Sequence, residues 1–153
     1  MKQQRVKWFI VLCVMPVVLA SCSLYAALRK KEFAFADGQA LRIKVPKRFS
    51  KTNTFTDSAG NRHQEYVYAN KAVYYLIHTT DTLALFQPID TANNIAKLFP
   101  HGGVMYKGID SAGSFWRELR TDSFRFGYRF VPPDAEPLFD SAVNYAGARR
   151  FKK

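Results

Sequence analysis

Histidines, serines and glycine-rich turns are the residues through which this chain of 153 residues could do catalytic or metal-binding chemistry. The histidines His63, His78 and His101 do not stand at the i, i+4 spacing that places two metal ligands on one face of a helix. His63 and Glu65 would share one face of a strand, where they could hold a metal ion or simply face water. Gly102-Gly103 does not form a phosphate-binding loop, and no serine lies in a nucleophile elbow. We therefore predict that the chain is not an enzyme and holds no cofactor and no metal.

The excess of basic residues is the feature with the most functional weight. The chain has 23 Lys and Arg against 12 Asp and Glu, a formal net charge of +11. If neighbouring strands bring the bases together, one sheet face could dock anionic headgroups or an acidic envelope protein. The alternative is a solvated face without a partner. The bases predicted to form this face are Arg42, Lys44, Lys47, Arg48, Arg125 and Arg129.

Both cysteines lie in an N-terminal segment with the layout of a secretory signal. Residues 1–7 carry three bases, residues 8–20 are an apolar run, and small residues precede Cys22. The sequence Leu19-Ala20-Ser21-Cys22 resembles the lipobox of bacterial lipoproteins. The resemblance implies that residues 1–21 are a cleaved signal peptide and that Cys22 carries diacylglycerol, often with a further fatty acid such as palmitate on its amine. Residues 22–32 would then be a lipidated tether and residues 33–153 a single domain.

The same segment has a second interpretation as a membrane-spanning helix. Residues 8–28 contain no charge and are long enough to cross a bilayer. Bases flank both ends, so the orientation signal is ambiguous. An unprocessed Cys22 would leave a single-pass anchor in the inner membrane, and a free secreted protein is the third alternative.

The location and the charge together define the expected partners. Ser23 follows the cysteine and no acid occurs before residue 32, which by resemblance favours the outer membrane, facing the periplasm. Without the three bases of residues 1–7, 20 bases remain against 12 acids, a net charge of +8. An exported chain rarely meets nucleic acid, so we predict no nucleic-acid partner.

We expect a non-enzymatic accessory or binding lipoprotein. The alternative is a small envelope hydrolase or ligand carrier, which a deep pocket lined by His78, Tyr74 and a carboxylate would favour.

Strand patterns dominate the rest of the chain. Residues 41–45 alternate apolar and basic side chains, which indicates a half-buried strand. Residues 52–56 and 63–69 flank the turn-forming residues 57–61 and predict a hairpin. A run that is apolar on both faces predicts a central strand at residues 72–79. Further strands are predicted at residues 104–109, 114–120 and 123–131, the last with Phe124, Phe126, Tyr128 and Phe130 on one face.

Two helices are predicted to cover that aromatic face. Ile95, Leu98 and Phe99 have helical spacing after a cap at Asp90 or Thr91, and a second helix would start at Pro137 and end at Gly147. The predicted fold class is α+β: a largely antiparallel sheet of about six or seven strands, with two helices packed on one face. The order of these elements, with Ile43-Lys44-Val45-Pro46, resembles the PsbP-like α/β/α sandwich. That resemblance implies a fold and no activity.

Overall fold

The structure, a computed structural model, describes residues 27–34, 40–79, 95–99, 103–121 and 123–150. These residues form nine strands and one helix. The strands form a two-stranded sheet, β1-β2, and a seven-stranded sheet in the order β3-β4-β5-β9-β8-β7-β6, and all neighbours are antiparallel. The elements are β1 (Leu28–Ala34), β2 (Ala40–Pro46), β3 (Phe49–Thr56), β4 (Arg62–Tyr68), β5 (Val73–His78), β6 (Ile95–Phe99), β7 (Gly103–Ile109), β8 (Phe115–Arg120), β9 (Phe124–Val131) and α1 (Glu136–Arg150).

The predicted α+β sheet with two helices on one face is wrong. The predicted first helix is instead strand β6, in which Ile95 lies opposite Lys107 of β7. Three apolar residues within about one helical turn cannot distinguish a helix from a strand, and the pairing with β7 decides the outcome. The predicted caps Asp90 and Thr91 lie outside the described residues. The described part of the chain is therefore mostly β, with a single helix.

Helix α1 and the β1–β2 pair cover one face of the seven-stranded sheet, which we call the inner face. The ring of Phe139 on α1 meets the rings of Tyr68 and Tyr128 at centroid distances of 5.0 and 5.6 Å. Phe33 and Ile43 of the hairpin belong to the same buried core. Burial of this apolar surface is the main stabilising contribution of the fold. The opposite side of the sheet is called the outer face.

The predicted hairpin at residues 52–69 and the central position of residues 72–79 are both confirmed. Asp57 accepts hydrogen bonds from the backbone of Ala59 and Asn61, which closes the turn between β3 and β4. Gly60 has a φ of 84°, a conformation that glycine adopts without strain. β5 lies between β4 and β9, so it is an interior strand.

Strand β9 departs from the predicted alternation at its end. Phe124, Phe126 and Tyr128 are buried on the inner face as predicted, but Phe130 is 50% exposed and Val131 is fully buried. Tyr128 and Val131 of β9 pair with Arg117 and Phe115 of β8, so two residues of β9 lie opposite one residue of β8. β9 therefore carries a bulge at this point. Phe130 occupies the extra position with a φ of 58°. The predicted wall of four aromatics is therefore a wall of three, continued by Val131.

Helix α1 buries one apolar side and is longer than expected. Phe139, Ala142, Val143 and Ala146 are all buried against the sheet and the hairpin. Pro137 lies in the first turn, where its missing N–H costs nothing. Gly147 was expected to end the helix, and this expectation is wrong, because α1 continues to Arg150.

Candidate functional site

The hairpin of β1 and β2, with the following residues Lys47 and Arg48, concentrates positive charge next to the N-terminal segment; we call it the basic hairpin. Leu28 and Phe33 of β1 are buried, and the backbone N–H of Lys47 donates to the carbonyl oxygen of Ala27 at 2.9 Å. Residues 28–32, predicted to be tether, thus lie in a paired strand. The described residues of the hairpin contain one acid, Glu32, and seven bases: Arg29, Lys30, Lys31, Arg42, Lys44, Lys47 and Arg48.

The strand register decides which of these charges meet. Glu32 lies opposite Arg42, and their side chains form an exposed ion pair at 3.2 Å. Lys30 lies directly opposite Lys44, so two like charges project from the same side of the hairpin. The Nζ atom of Lys44 lies 4.3 Å from the ring centroid of Tyr145 on α1, a cation–π contact. Helix α1 therefore holds one of the two lysines in place.

A pocket of about 320 Å³ lies where the basic hairpin meets the end of α1; we call it the hairpin pocket. Its lining combines three bases, one acid, one aliphatic side chain and one aromatic ring: Lys30, Lys31, Arg42, Glu32, Ile43 and Tyr145. The lining residues carry a net charge of +2 from these three bases and one acid. Such a concave, partly apolar surface with several cations suits a small anionic group.

The six bases predicted to share one face do not all meet. Arg42, Lys44, Lys47 and Arg48 lie together on the basic hairpin, against the inner face of the sheet. Arg125 and Arg129 alternate with the inward Phe126 and Tyr128 and therefore belong to the outer face. Arg129 forms an ion pair with Glu65 at 2.8 Å. The sheet separates these two groups of bases.

A second group of polar side chains, the outer-face cluster, crosses the middle of the seven-stranded sheet. The Tyr75 hydroxyl donates to Glu118 at 2.7 Å, and Glu118 also pairs with Arg120. Burial, and then the negative charge of Glu118, raise the pKa of Tyr75 well above its ordinary value. Each carboxylate of the cluster has an arginine partner, Glu118 with Arg120 and Glu65 with Arg129. The cluster thus holds strands together through compensated charges, and Tyr75 stays protonated.

A third group fixes helix α1 to the inner face, and we call it the helix clasp. Asp140 accepts a hydrogen bond from the Tyr128 hydroxyl at 2.6 Å and pairs with Arg117 at 2.8 Å. Arg117 also donates to the side chain of Asn144 at 2.7 Å. Arg117 is buried, so its charge needs these partners. Lys107 pairs with Asp140 at 3.4 Å and adds a second positive charge.

The histidines that the structure describes have structural surroundings. His63 meets Asp57 at 2.9 Å and stacks on Phe55, with ring centroids 4.6 Å apart. Hydrogen bonds from Asn61 and His63 hold the pKa of Asp57 well below its ordinary value. The His78 ring lies 5.3 Å from that of Phe124. His101 lies outside the described residues.

The pocket expected of a hydrolase or carrier would be lined by His78 and Tyr74. Tyr74 is completely buried in the core. The hairpin pocket contains neither residue. Its lining residues Lys30, Lys31 and Tyr145 were not predicted as site residues, because only the register of β1 and the position of α1 bring them together.

Metal ligands, membrane-spanning helices and known relatives give no further assignment. Among the residues with a described position, no three His, Cys, Asp or Glu side chains lie close enough to hold one metal ion. No helix in the described part of the chain combines the length and the apolar character needed to cross a membrane. Comparison of the chain with protein-family models, curated proteins and solved structures found no match in any of the three.

Proposed function

We propose that the chain is a bacterial envelope lipoprotein with a non-enzymatic accessory or binding role, whose basic hairpin rests against an anionic membrane surface. Acylated Cys22 provides the anchor, and the domain faces the periplasm from the outer membrane. The partner of the basic hairpin is a layer of anionic headgroups. An acidic envelope protein is the other partner that the same charge would suit.

The observation that carries this proposal is the short distance along the chain from Cys22 to the basic hairpin. β1 begins at Leu28, six residues after Cys22. An extended chain spans at most about 3.6 Å per residue, so these residues reach about 20 Å. Attraction between bases and charged headgroups acts within about 8–10 Å, the Debye length near physiological ionic strength. The reach of about 20 Å is an upper limit, so a lipid on Cys22 would allow the seven bases of the basic hairpin to come within the range in which headgroups attract them.

The same geometry supports membrane contact if Cys22 is not processed. A single-pass anchor at residues 8–28 would lead directly into β1. The basic hairpin would then lie beside the headgroups of the inner membrane instead. The anchor and the membrane contact are therefore tested separately.

The anchor is tested by the mass of the full chain after expression in a bacterium and extraction from membranes. We expect the loss of residues 1–21 and the added mass of acyl chains on Cys22. Cys22→Ala should block both changes. A mass that retains residues 1–21, or an unmodified Cys22, would contradict the anchor.

The membrane contact is tested with a chain of residues 23–153, which lacks the lipid, and vesicles of phosphatidylglycerol or phosphatidylcholine. We expect sedimentation with the anionic vesicles at low salt, release as salt rises, and no retention by phosphatidylcholine. Each base near the surface contributes about 1 kcal/mol, so Lys47→Gln with Arg48→Gln should weaken partitioning about 30-fold.

The matched control removes two exposed lysines outside the basic hairpin, Lys51→Gln with Lys71→Gln, so that the net charge changes equally. This control should weaken partitioning far less. Equal losses in the two double variants would show that total charge, and not the basic hairpin, determines binding. Equal retention by both lipids at low salt would overturn the membrane contact.

A further inference from the structure

We infer that the free edge of strand β3 pairs with the β3 edge of a second copy of this chain, which joins the two seven-stranded sheets into one. The pairing is antiparallel and centred on Thr54, so a twofold axis relates the two copies. This inference goes beyond the proposed function and depends neither on the lipid anchor nor on membrane contact.

Strand β3 is a long and accessible edge of the sheet. It pairs with β4 on one side, and no strand in the described part of the chain pairs with its other side. Six of its eight residues are exposed. The row of backbone groups on such an edge is a template for another strand, unless charges or prolines obstruct it. β3 has one charged residue, Lys51, and no proline, so it offers little obstruction.

The turn that follows β3 shows which backbone groups point to the free edge. The N–H of Asp57 donates to the carbonyl oxygen of Asn61 at 3.0 Å, so these two residues form a hydrogen-bonded pair of the ladder. Hydrogen-bonded and non-hydrogen-bonded pairs alternate along antiparallel strands, and the β3–β4 register is regular from Lys51 onwards. Every second residue counted back from Asp57 therefore bonds to β4. The residues between them point their backbone groups away from β4: Thr52, Thr54 and Thr56.

These threonines define a register for the two edges. A pairing centred on Thr54 places this residue opposite its own counterpart, and Thr52 opposite Thr56 of the second copy. The three threonine pairs would form about six backbone hydrogen bonds, two in each pair. Cross-strand threonine pairs also stabilise a sheet through their hydroxyls. The bulge at Ser50, where β3 has an extra residue relative to β4, stays outside this register.

The side chains on the other face of the edge favour the same register. Lys51 lies opposite Asp57 of the second copy, so opposite charges meet at each end of the pairing. Asn53 lies opposite Phe55, whose side chain is 45% exposed, and would cover part of its ring. A pairing centred on Asn53 would instead bring the bulge at Ser50 into the ladder and would separate Lys51 from Asp57.

Cysteine cross-linking tests the contact and its register in the full chain, purified in a neutral detergent. The background carries Cys13→Ser and Cys22→Ser, so the introduced cysteines are the only thiols. Thr54→Cys should give a disulfide-linked dimer on mild oxidation, because residues in such a pair have Cα atoms about 5.5 Å apart.

The matched control for the cross-link is Thr52→Cys, which is equally exposed on the same edge. Its counterpart in the second copy would lie roughly 13 Å farther along the strand, so we expect no link. Thr52→Cys with Thr56→Cys should link again, because these positions oppose each other. Equal linkage in the two single variants, or no linkage in any variant, would overturn the pairing.

Sedimentation equilibrium of the full chain, in a solvent that matches the density of the detergent, measures the association itself. We expect a mass of two chains that falls to one chain on dilution. Thr54→Lys places like charges opposite each other at the twofold axis and should raise the dissociation constant at least about fivefold. Ala112→Lys adds the same charge in the exposed turn between β7 and β8 and should leave the constant unchanged. Equal weakening by the two variants would overturn the edge contact.

A strand of a different protein is the other occupant that the same edge would suit. The probe for it is a synthetic peptide with the sequence of residues 49–57. A chain that stays monomeric but binds this peptide would overturn the second copy and assign the edge to a foreign strand. A chain that stays monomeric and binds no peptide would overturn both.

Discussion

Asp140 in the helix clasp offers a quantitative test of how α1 is attached to the sheet. Its carboxylate accepts the Tyr128 hydroxyl at 2.6 Å and pairs with Arg117 at 2.8 Å. Asp140→Asn keeps the size of the side chain and a carbonyl oxygen for Tyr128. The substitution removes the negative charge that compensates Arg117. We therefore expect Asp140→Asn to destabilise the fold without changing its shape.

The expected loss follows from the burial of the pair. Removing one partner of a fully buried ion pair costs about 3–5 kcal/mol, because the other charge stays in the interior. The side chain of Arg117 is 9% exposed and that of Asp140 is 26% exposed, so water screens part of the interaction. Arg117 also keeps its hydrogen bond to Asn144. We expect Asp140→Asn to lower the free energy of unfolding by about 2–3 kcal/mol, which is the upper part of the range of about 1.5–3 kcal/mol for a hydrogen bond to a charged group.

Urea unfolding of the full chain in a neutral detergent, followed by far-ultraviolet circular dichroism, measures this loss. Glu32→Gln is the matched control, because it also replaces a carboxylate in an arginine pair, but with side chains 55% and 79% exposed. The control should cost less than about 1 kcal/mol. In the background of Arg117→Met, Asp140→Asn should cost at least about 1 kcal/mol less than in the wild type. Equal costs in both backgrounds would refute the clasp, even if Asp140→Asn alone is destabilising.

Two further predictions follow from the same core. Burial tends to raise the pKa of Asp140, but the hydrogen bonds and charges of Tyr128, Arg117 and Lys107 outweigh it and hold the pKa below its ordinary value of 3.8. The stability that Asp140 provides is therefore present above pH 3.8 and is lost as the pH falls through the lower folded-state pKa. In urea titrations at decreasing pH, the free energies of unfolding of the wild type and Asp140→Asn should therefore converge. A constant difference between them down to pH 2 would contradict this. Phe126→Ala should lower the free energy of unfolding by about 3–5 kcal/mol in urea. Phe130→Gly should be neutral or stabilising, because glycine adopts the positive φ of this position without strain. A large loss of stability in Phe130→Gly would show that the bulge is misplaced.

The correct predictions from sequence depend on interactions between residues close along the chain. Asp57 and Gly60 close the turn at residues 57–61, and both residue types are typical of turns. The alternation in residues 41–45 likewise identifies β2 and the neighbouring bases Arg42 and Lys44. Such local signals were sufficient for the β3–β4 hairpin and for strand β2.

The incorrect predictions concern contacts between distant residues. Nothing in residues 95–99 distinguishes β6 from a helical turn until β7 is placed beside it. The bulge at Phe130 exists because β8 is one residue shorter than β9 at that point. The charged run at residues 29–31 suggested a tether, yet it pairs with β2, and its residues Lys30 and Lys31 line the hairpin pocket. The candidate site therefore could be predicted in part, as bases on β2, but Lys30, Lys31 and Tyr145 could not.

The central position of β9 has a consequence for how the chain reaches its native state. β9 joins two groups of strands, β3-β4-β5 and β6-β7-β8, each formed from neighbours in sequence. Until β9 has been synthesised, β5 is an edge strand with apolar residues on both faces, and such an edge readily pairs with strands of other molecules. The first group can therefore form early but stays open to aggregation during the roughly fifty residues that separate β5 from the middle of β9. A nascent chain that stops after β8 should need a holding chaperone, and one that extends through α1 should not.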